Sequence, residues 1–226
     1  FQLGASYLAL IIVGLIAVRQ AGNIAMRFFA IAMLTLVPDT LCDMFPGGDI
    51  QDFLTIYIFP LELFLGYVFF AYFCLIYPPD TQLWRFSWVR VIFRIYAGIF
   101  FVYAVAHALN SLGLLAWTLR EHVNLFKWRN SLAIASVMIS LSALTYSWIK
   151  SKGVSKQRLA WIGLCMGNLY AAYWLHNLFS FLDIRGFDGD FYLYKYAVIF
   201  FSHLGLGYAL LRHRLFDFSF AINRLS

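Results

Sequence analysis

Seven apolar runs, each close to the length of a bilayer crossing, decide what this chain can fold into. They cover about residues 3–18, 24–45, 52–77, 89–112, 131–149, 159–182 and 191–211. A helical span needs about 20 residues to cross roughly 30 Å of hydrocarbon. The chain has 226 residues, which leaves room for little more than these seven. Composition agrees: 62% of residues are apolar and only 12% charged, where a soluble domain carries about a quarter charged. So little polar surface cannot cover a water-soluble globule, and so much apolar surface does not stay disordered. A membrane barrel would show short alternating segments in place of continuous runs. The expected fold is all-α, a polytopic membrane bundle of seven transmembrane helices.

The punctuation between runs is that of helix ends. The first run stops at Arg19-Gln20-Ala21-Gly22-Asn23, the second at Pro46-Gly47-Gly48-Asp49 and the third at Pro78-Pro79, where proline cannot continue a helix. The first run has no basic residues ahead of it, unlike a secretory leader. No internal repeat stands out, which disfavours transporters built from inverted halves.

Lysine and arginine set the orientation. With the N-terminus outside, twelve of the 17 basic residues fall on the inner side, among them Arg85, Arg90, Arg94, Lys150, Lys152, Lys156 and Arg158. Five fall outside: Arg120, Lys127, Arg129, Arg185 and Lys195. Basic residues collect in cytoplasmic loops, so the expectation is N-out and C-in. The net charge of +6 is then a topology signal. Nucleic-acid binding would need a soluble basic face, and none is visible. An N-out first helix implies something ahead of it. The chain is therefore expected to be the ordered part of a longer protein, multi-pass in a membrane.

Catalytic signatures are missing. There is no His-Glu-x-x-His, Gly-x-Ser-x-Gly, phosphate-binding glycine loop or Cys-x-x-Cys. Cys42, Cys74 and Cys165 stand apart and read as apolar filling. Lys195 lies too near the outer end of the last run to serve as a retinal lysine, and reads as an interfacial group.

Ionisable groups inside spans are costly, so each is a candidate for function. They are Asp39, Glu62, His107, His176 and His203, with Arg94 close enough to the inner boundary to snorkel. Asp39, Glu62, His107 and His176 all fall in the outer half. Asp43 shares a helix face with Asp39. Tyr173, His176, Ser180 and Asp183 form a polar stripe on the sixth run. Asn110 and Ser111 extend the outer end of the fourth.

Two readings stand. One is an outward-open cavity that binds a ligand through Asp39, Asp43, Glu62, His107, Tyr173, His176 and Ser180, with an aromatic wall from Tyr57, Tyr103, Trp174 and Phe179. The other is a buried hydrogen-bond network that fixes helix packing. The His, Asp and Glu residues lack metal-ligand spacing, and neither metal nor cofactor is expected. His203 lies alone in the inner half and reads as packing. The row Ser136, Ser140, Ser147 reads as a close helix contact.

The most specific stretch closes the last run: Tyr208-Ala209-Leu210-Leu211-Arg212-His213-Arg214-Leu215-Phe216-Asp217-Phe218, then Ile222-Asn223-Arg224. It resembles the exit from the membrane block of bacterial seven-transmembrane sensor histidine kinases, including the ComP-type quorum-sensing kinases. That family typically shows Tyr-Ala, two hydrophobic residues, Arg-Tyr-Arg-Leu-Phe-Asp-Ile and a later hydrophobic-Asn-Arg. Here His213 replaces the usual Tyr and Phe218 the usual Ile. Lys156-Gln157-Arg158-Leu159-Ala160-Trp161 resembles the entry to the family's penultimate helix, and Tyr77-Pro78 the close of its third.

The resemblance implies a following helix, a cytoplasmic dimeric kinase and a response regulator as partner. It divides the chain into a sensor bundle over 1–211 and a juxtamembrane segment over 212–226. Read physically, Arg212, His213 and Arg214 attract anionic lipid, while Leu215, Phe216 and Phe218 can lie on the membrane. Asp217 can pair with a nearby arginine. The segment is either an elbow that carries the tilt of the last helix to the output or a plain lipid anchor. The leading expectation is a sensor that binds a small lipophilic or peptide signal in the outer half of the bundle. The alternative is a transporter or channel that uses the same Asp, Glu and His groups; it requires a polar path to the inner face, and His203 is the one candidate there.

Overall fold

The computed structural model describes residues 10–14, 23–35, 59–78, 81–114, 119–181, 197–206 and 208. Among them every regular element is helical. The helices are α1 (Ile24–Leu34), α2 (Phe59–Ile76), α3 (Ser87–Ser111), α4 (Leu119–Lys150), α5 (Gly153–Phe181) and α6 (Ala197–Leu206). A helical piece over 10–14 precedes them, and a single 3₁₀ turn, Leu83–Arg85, leads into α3.

Local chemistry explains the ends. The Asn23 side chain caps α1 by accepting from the Ala25 N–H at 3.0 Å, a service that Asn performs well at this position. α2 stops at Ile76, just before Pro78-Pro79. Gly153 opens α5 at φ +57°, a conformation that costs glycine little.

Apart from Glu62 near its start, α2 is apolar on every face, and it sits at the centre with α1, α3 and α4 packed around it. α5 packs on α4. Ring contacts give the directions. Phe28 meets Phe69 and Tyr72, while Thr35 lies against Gly66, so α1 and α2 are antiparallel. Tyr72 stacks on Phe93 and Phe64 approaches Phe101, so α2 and α3 are antiparallel as well. Lys156 lies over Trp148 and Gly167 beside Leu141, which turns α5 back along α4. Trp161 meets Tyr208, and Gly205 meets Cys165, which turns α6 back along α5. Direction therefore alternates along the chain, as serial crossings of a layer require.

One consequence is electrostatic. The α2–α3 connection and the α4–α5 turn meet at the same end. The Thr81 and Ser151 hydroxyls are 3.5 Å apart, and Arg85 donates to the Tyr146 hydroxyl at 3.4 Å. The start of α1 and the end of α6 reach this end too. Arg27, Arg85, Arg90, Lys150, Lys152 and Lys156 thus gather at one pole of the bundle, the basic end.

Close packing needs small residues where backbones approach. A Cβ on Gly66 would lie 2.6 Å from Thr35 Oγ1, so only glycine admits α1 at that crossing. Along α4 the row Ser136, Ser140, Ser147 is buried. Ser136 Oγ donates to the Tyr67 carbonyl of α2 at 2.7 Å, and Ser140 Oγ to the Ser136 carbonyl at 2.8 Å. The expected small-residue contact is therefore present, and its partner is α2. Cys74 and Cys165 are buried free thiols, in keeping with apolar filling. Cys42 lies outside the described residues.

Among the described residues two helices are long and apolar enough to cross a membrane, over Ser87–Asn110 and Trp128–Lys150. Only 28% of the first window is buried. Val91, Ile92, Ile95, Phe101 and Val102 are all more than half exposed. A contiguous apolar face of this kind marks an interaction surface, not a helix hidden in a core.

The elements differ from the sequence expectation mainly at their starts. The fifth run, read as 131–149, lies within a helix that begins at Leu119, and the sixth begins at Gly153 instead of 159. Hydropathy marks where a helix is apolar; helical geometry continues into polar flanks that still form their i to i−4 bonds.

Candidate functional site

The end opposite the basic pole is built from α2, α3 and α4. On α3, Tyr96, Phe100, Tyr103 and His107 recur at i, i+4, i+7 and i+11, one face of a helix. Their rings form a ladder with centroids 5.9 Å, 6.0 Å and 6.0 Å apart. Tyr67 of α2 stacks on Phe100 at 6.2 Å. The Tyr96 hydroxyl donates to the Leu132 carbonyl of α4 at 3.4 Å. This ladder leads from the packed middle to His107, which is half-buried.

Opposite its upper rungs stands α4. Arg129 is close enough to Tyr103 for direct electrostatic interaction. Arg129 Nε donates to Asn130 Oδ1 at 3.2 Å. Asn130 has no exposed surface, and its Nδ2 has no hydrogen-bond partner among the described residues. Buried amide hydrogens are nearly always satisfied, so an orphan donor beside a guanidinium calls for an explanation. The pair can recognise an acceptor, a carbonyl or a carboxylate, with two donors from one helix turn.

The sequence candidates fall around this corner as follows. His107 is in it. Glu62 lies on the first turns of α2, level with the α4 turn that carries Asn130, since Ser136 bonds Tyr67 in the parallel α2–α4 pair. Tyr173, His176 and Ser180 lie on the C-terminal third of α5, which runs to this same end along α4. Tyr103, expected in the aromatic wall, stands between Phe100 and His107 in the α3 ladder. Asp39, Asp43 and Tyr57 lie outside the described residues, as do Arg212, His213, Arg214, Phe216 and Asp217. His203 is buried in α6, where Nδ1–H donates to the Ile199 carbonyl at 2.6 Å and Nε2 has no partner. It stands apart from the corner. Among the described residues no three His, Cys, Asp or Glu groups come together as a metal site.

Arg129 and Asn130 are what sequence reasoning missed. With the fifth run starting at Ser131, both read as loop. A signal was available: Asn130 heads the series Ala133, Ser136/Val137 and Ser140 at helical spacing, which marks the buried face.

Between this corner and the basic end lies an apolar layer. Phe70, Phe73 and Phe100 are at most 1% exposed, and Phe29 packs against Phe73 at 4.9 Å. No family model, curated protein or solved structure matches the chain.

Proposed function

We propose that the chain is a membrane-embedded sensory input domain with seven spans, N-out and C-in, in a bacterial cytoplasmic membrane. A signal bearing a hydrogen-bond acceptor, a small lipophilic molecule or a short peptide, binds at the outer corner. Binding shifts helix packing and biases a cytoplasmic output between two states. The output is a dimeric histidine kinase acting on a response regulator, as the exit sequence Tyr208 to Asp217 implies.

The observation that carries the signal site is the buried, unpartnered Nδ2 of Asn130 beside Arg129 and the Tyr103–His107 rungs. Support for the orientation comes from the basic pole, since cytoplasmic loops collect lysine and arginine. The transporter alternative needs a polar path through the bundle, and the phenylalanine layer described above stands against it.

Two experiments test this reading. Alkaline phosphatase, active only outside the cytoplasm, is fused after Leu114 or after Lys152. Activity at Leu114 and none at Lys152 is the expected result; the reverse pattern overturns the orientation. The second experiment uses membranes carrying the full-length protein and measures ATP-dependent autophosphorylation with a lipid extract and a peptide fraction of the culture medium. Asp39→Asn and His176→Gln are expected to lower the response about tenfold, the loss of roughly one charge-assisted hydrogen bond. An unchanged response at unchanged expression sinks the site.

A further inference from the structure

Two shallow hollows flank the first turns of α5, on the outer surface near the basic end. One, of about 350 Å³, lies between α4 and α5 and is lined by Trp148, Thr145, Ala160 and Gly163 among others. The second, of about 400 Å³, lies on the other flank of α5 and is lined by Gln157, Ala160, Trp161 and Leu164. They share Ala160 and Leu164, and Leu164 is 57% exposed, so the two open side by side across a low ridge.

The rim has the opposite chemistry. Lys150 ends α4, Lys152 lies in the turn, and both are exposed. Lys156 sits on the first turn of α5 with Nζ 4.5 Å above the Trp148 ring, at the mouth of the first hollow. A cation held on an indole face keeps its charge available to a further anion. The sequence has no Asp or Glu between Glu121 and Asp183, so neither helix compensates these lysines after α4's first turn. The remaining acid of the facing connection is Asp80, outside the described residues.

We infer that this is a binding site for an anionic diacyl phospholipid: the phosphate meets Lys150, Lys152 and Lys156, and one acyl chain fills each hollow. The inference rests on the bundle lying in a membrane and is independent of the signal site. Both hollows open on the outer surface and are mostly apolar-lined, so in a membrane any bilayer lipid can fill them. Selectivity comes from the rim, since each lysine near the surface favours an anionic headgroup. The second hollow borders the Trp161–Tyr208 contact at 5.9 Å. The lipid therefore sits against the last described turn before the basic exit, where its headgroup can set how α6 leaves the membrane.

The test is native mass spectrometry of the full-length protein released from nanodiscs with equal phosphatidylglycerol and phosphatidylcholine. One strongly retained phosphatidylglycerol is expected. Lys156→Gln is expected to weaken it about fivefold, the effect of one basic group, while Lys156→Arg keeps it. Gly163→Leu fills the first hollow and is expected to weaken retention by a similar factor. A Cβ at Gly163 meets no atom within 4 Å, so the side chain can leave the helix without a clash at its first atom.

Equal retention of the two lipids, or Lys156→Gln binding like the parent, overturns the site. Displacement by glycerol 3-phosphate reduces it to a phosphate site without chains and also overturns it. A protein that stays monodisperse without detergent would fail the membrane reading instead, a separate and visible outcome.

Discussion

Ser136→Leu is expected to cost the bundle about 3 kcal/mol, enough to move its unfolding in a detergent titration well below that of the parent. Ser136 has no exposed surface, and its Oγ lies 2.7 Å from the Tyr67 carbonyl. What faces the serine is therefore the backbone of α2, which cannot rotate out of the way as a side chain can. Overpacking a tight contact costs about 1–3 kcal/mol, and a backbone wall places this site at the upper end. Leucine recovers nothing by being buried here, because lipid tails are as apolar as the helix seam. Separation of α2 and α4 would also stretch the Ser147–Thr81 and Thr81–Ser151 contacts at the basic end of the seam. Ser136→Ala is the control. It removes one interhelical hydrogen bond, about 0.6 kcal/mol in a membrane. Circular dichroism during a titration with sodium dodecyl sulfate reads both. Equal midpoints for the leucine and alanine variants would show that the seam is not a close contact.

That seam also shows how far the sequence can be read. The small-residue row on α4 is visible at i, i+4 and i+11, but its partner is not. α2 could be placed at the centre from its lack of any polar face, whereas the crossing of Thr35 against Gly66 depends on a register that no periodicity encodes. Long apolar helices and the proline stop at Pro78 are legible because hydrocarbon thickness and the missing N–H act locally. The gathering of Arg85, Lys150 and Lys156 at one end follows from alternating direction, and so was legible from the loop charges.

The corner was half legible. His107 and Tyr103 stand out as polar or aromatic groups near the end opposite the basic loops. Arg129 and Asn130 do not, because an apolar window stops where charge begins, while α4 continues through them as helix. The hollows beside α5 were not legible at all. Ala160 and Gly163 in a sequence signify close packing as readily as an open notch, and only the position of α4 decides between them.

Asn130→Leu should separate stability from response. A buried amide with an unmade hydrogen bond costs about 1–3 kcal/mol, and more where no water can reach it. Leucine has nearly the same size and no polar atom to strand. The substitution also removes the Arg129 Nε bond to Oδ1, worth about 1 kcal/mol, so the net expectation is a stability unchanged or raised by up to about 2 kcal/mol. The response should fall at the same time, since the orphan Nδ2 is the donor that the proposed signal site uses. Asn130→Asp sharpens the test. It keeps the shape and makes the Arg129 Nε bond charge-assisted, against the cost of burying a carboxylate, and it replaces the Nδ2 donor with an acceptor. A signal held through its own acceptor is then repelled, and the response is lost whichever way stability moves. A packing network makes the opposite prediction: stability and response decline together in the leucine variant, because the amide would be part of what holds α4 in place. Detergent unfolding and membrane autophosphorylation, measured on the same three preparations, distinguish the two. Sites that bind commonly sacrifice stability for function, and an unpaired donor at 0% exposure is where this bundle would do so.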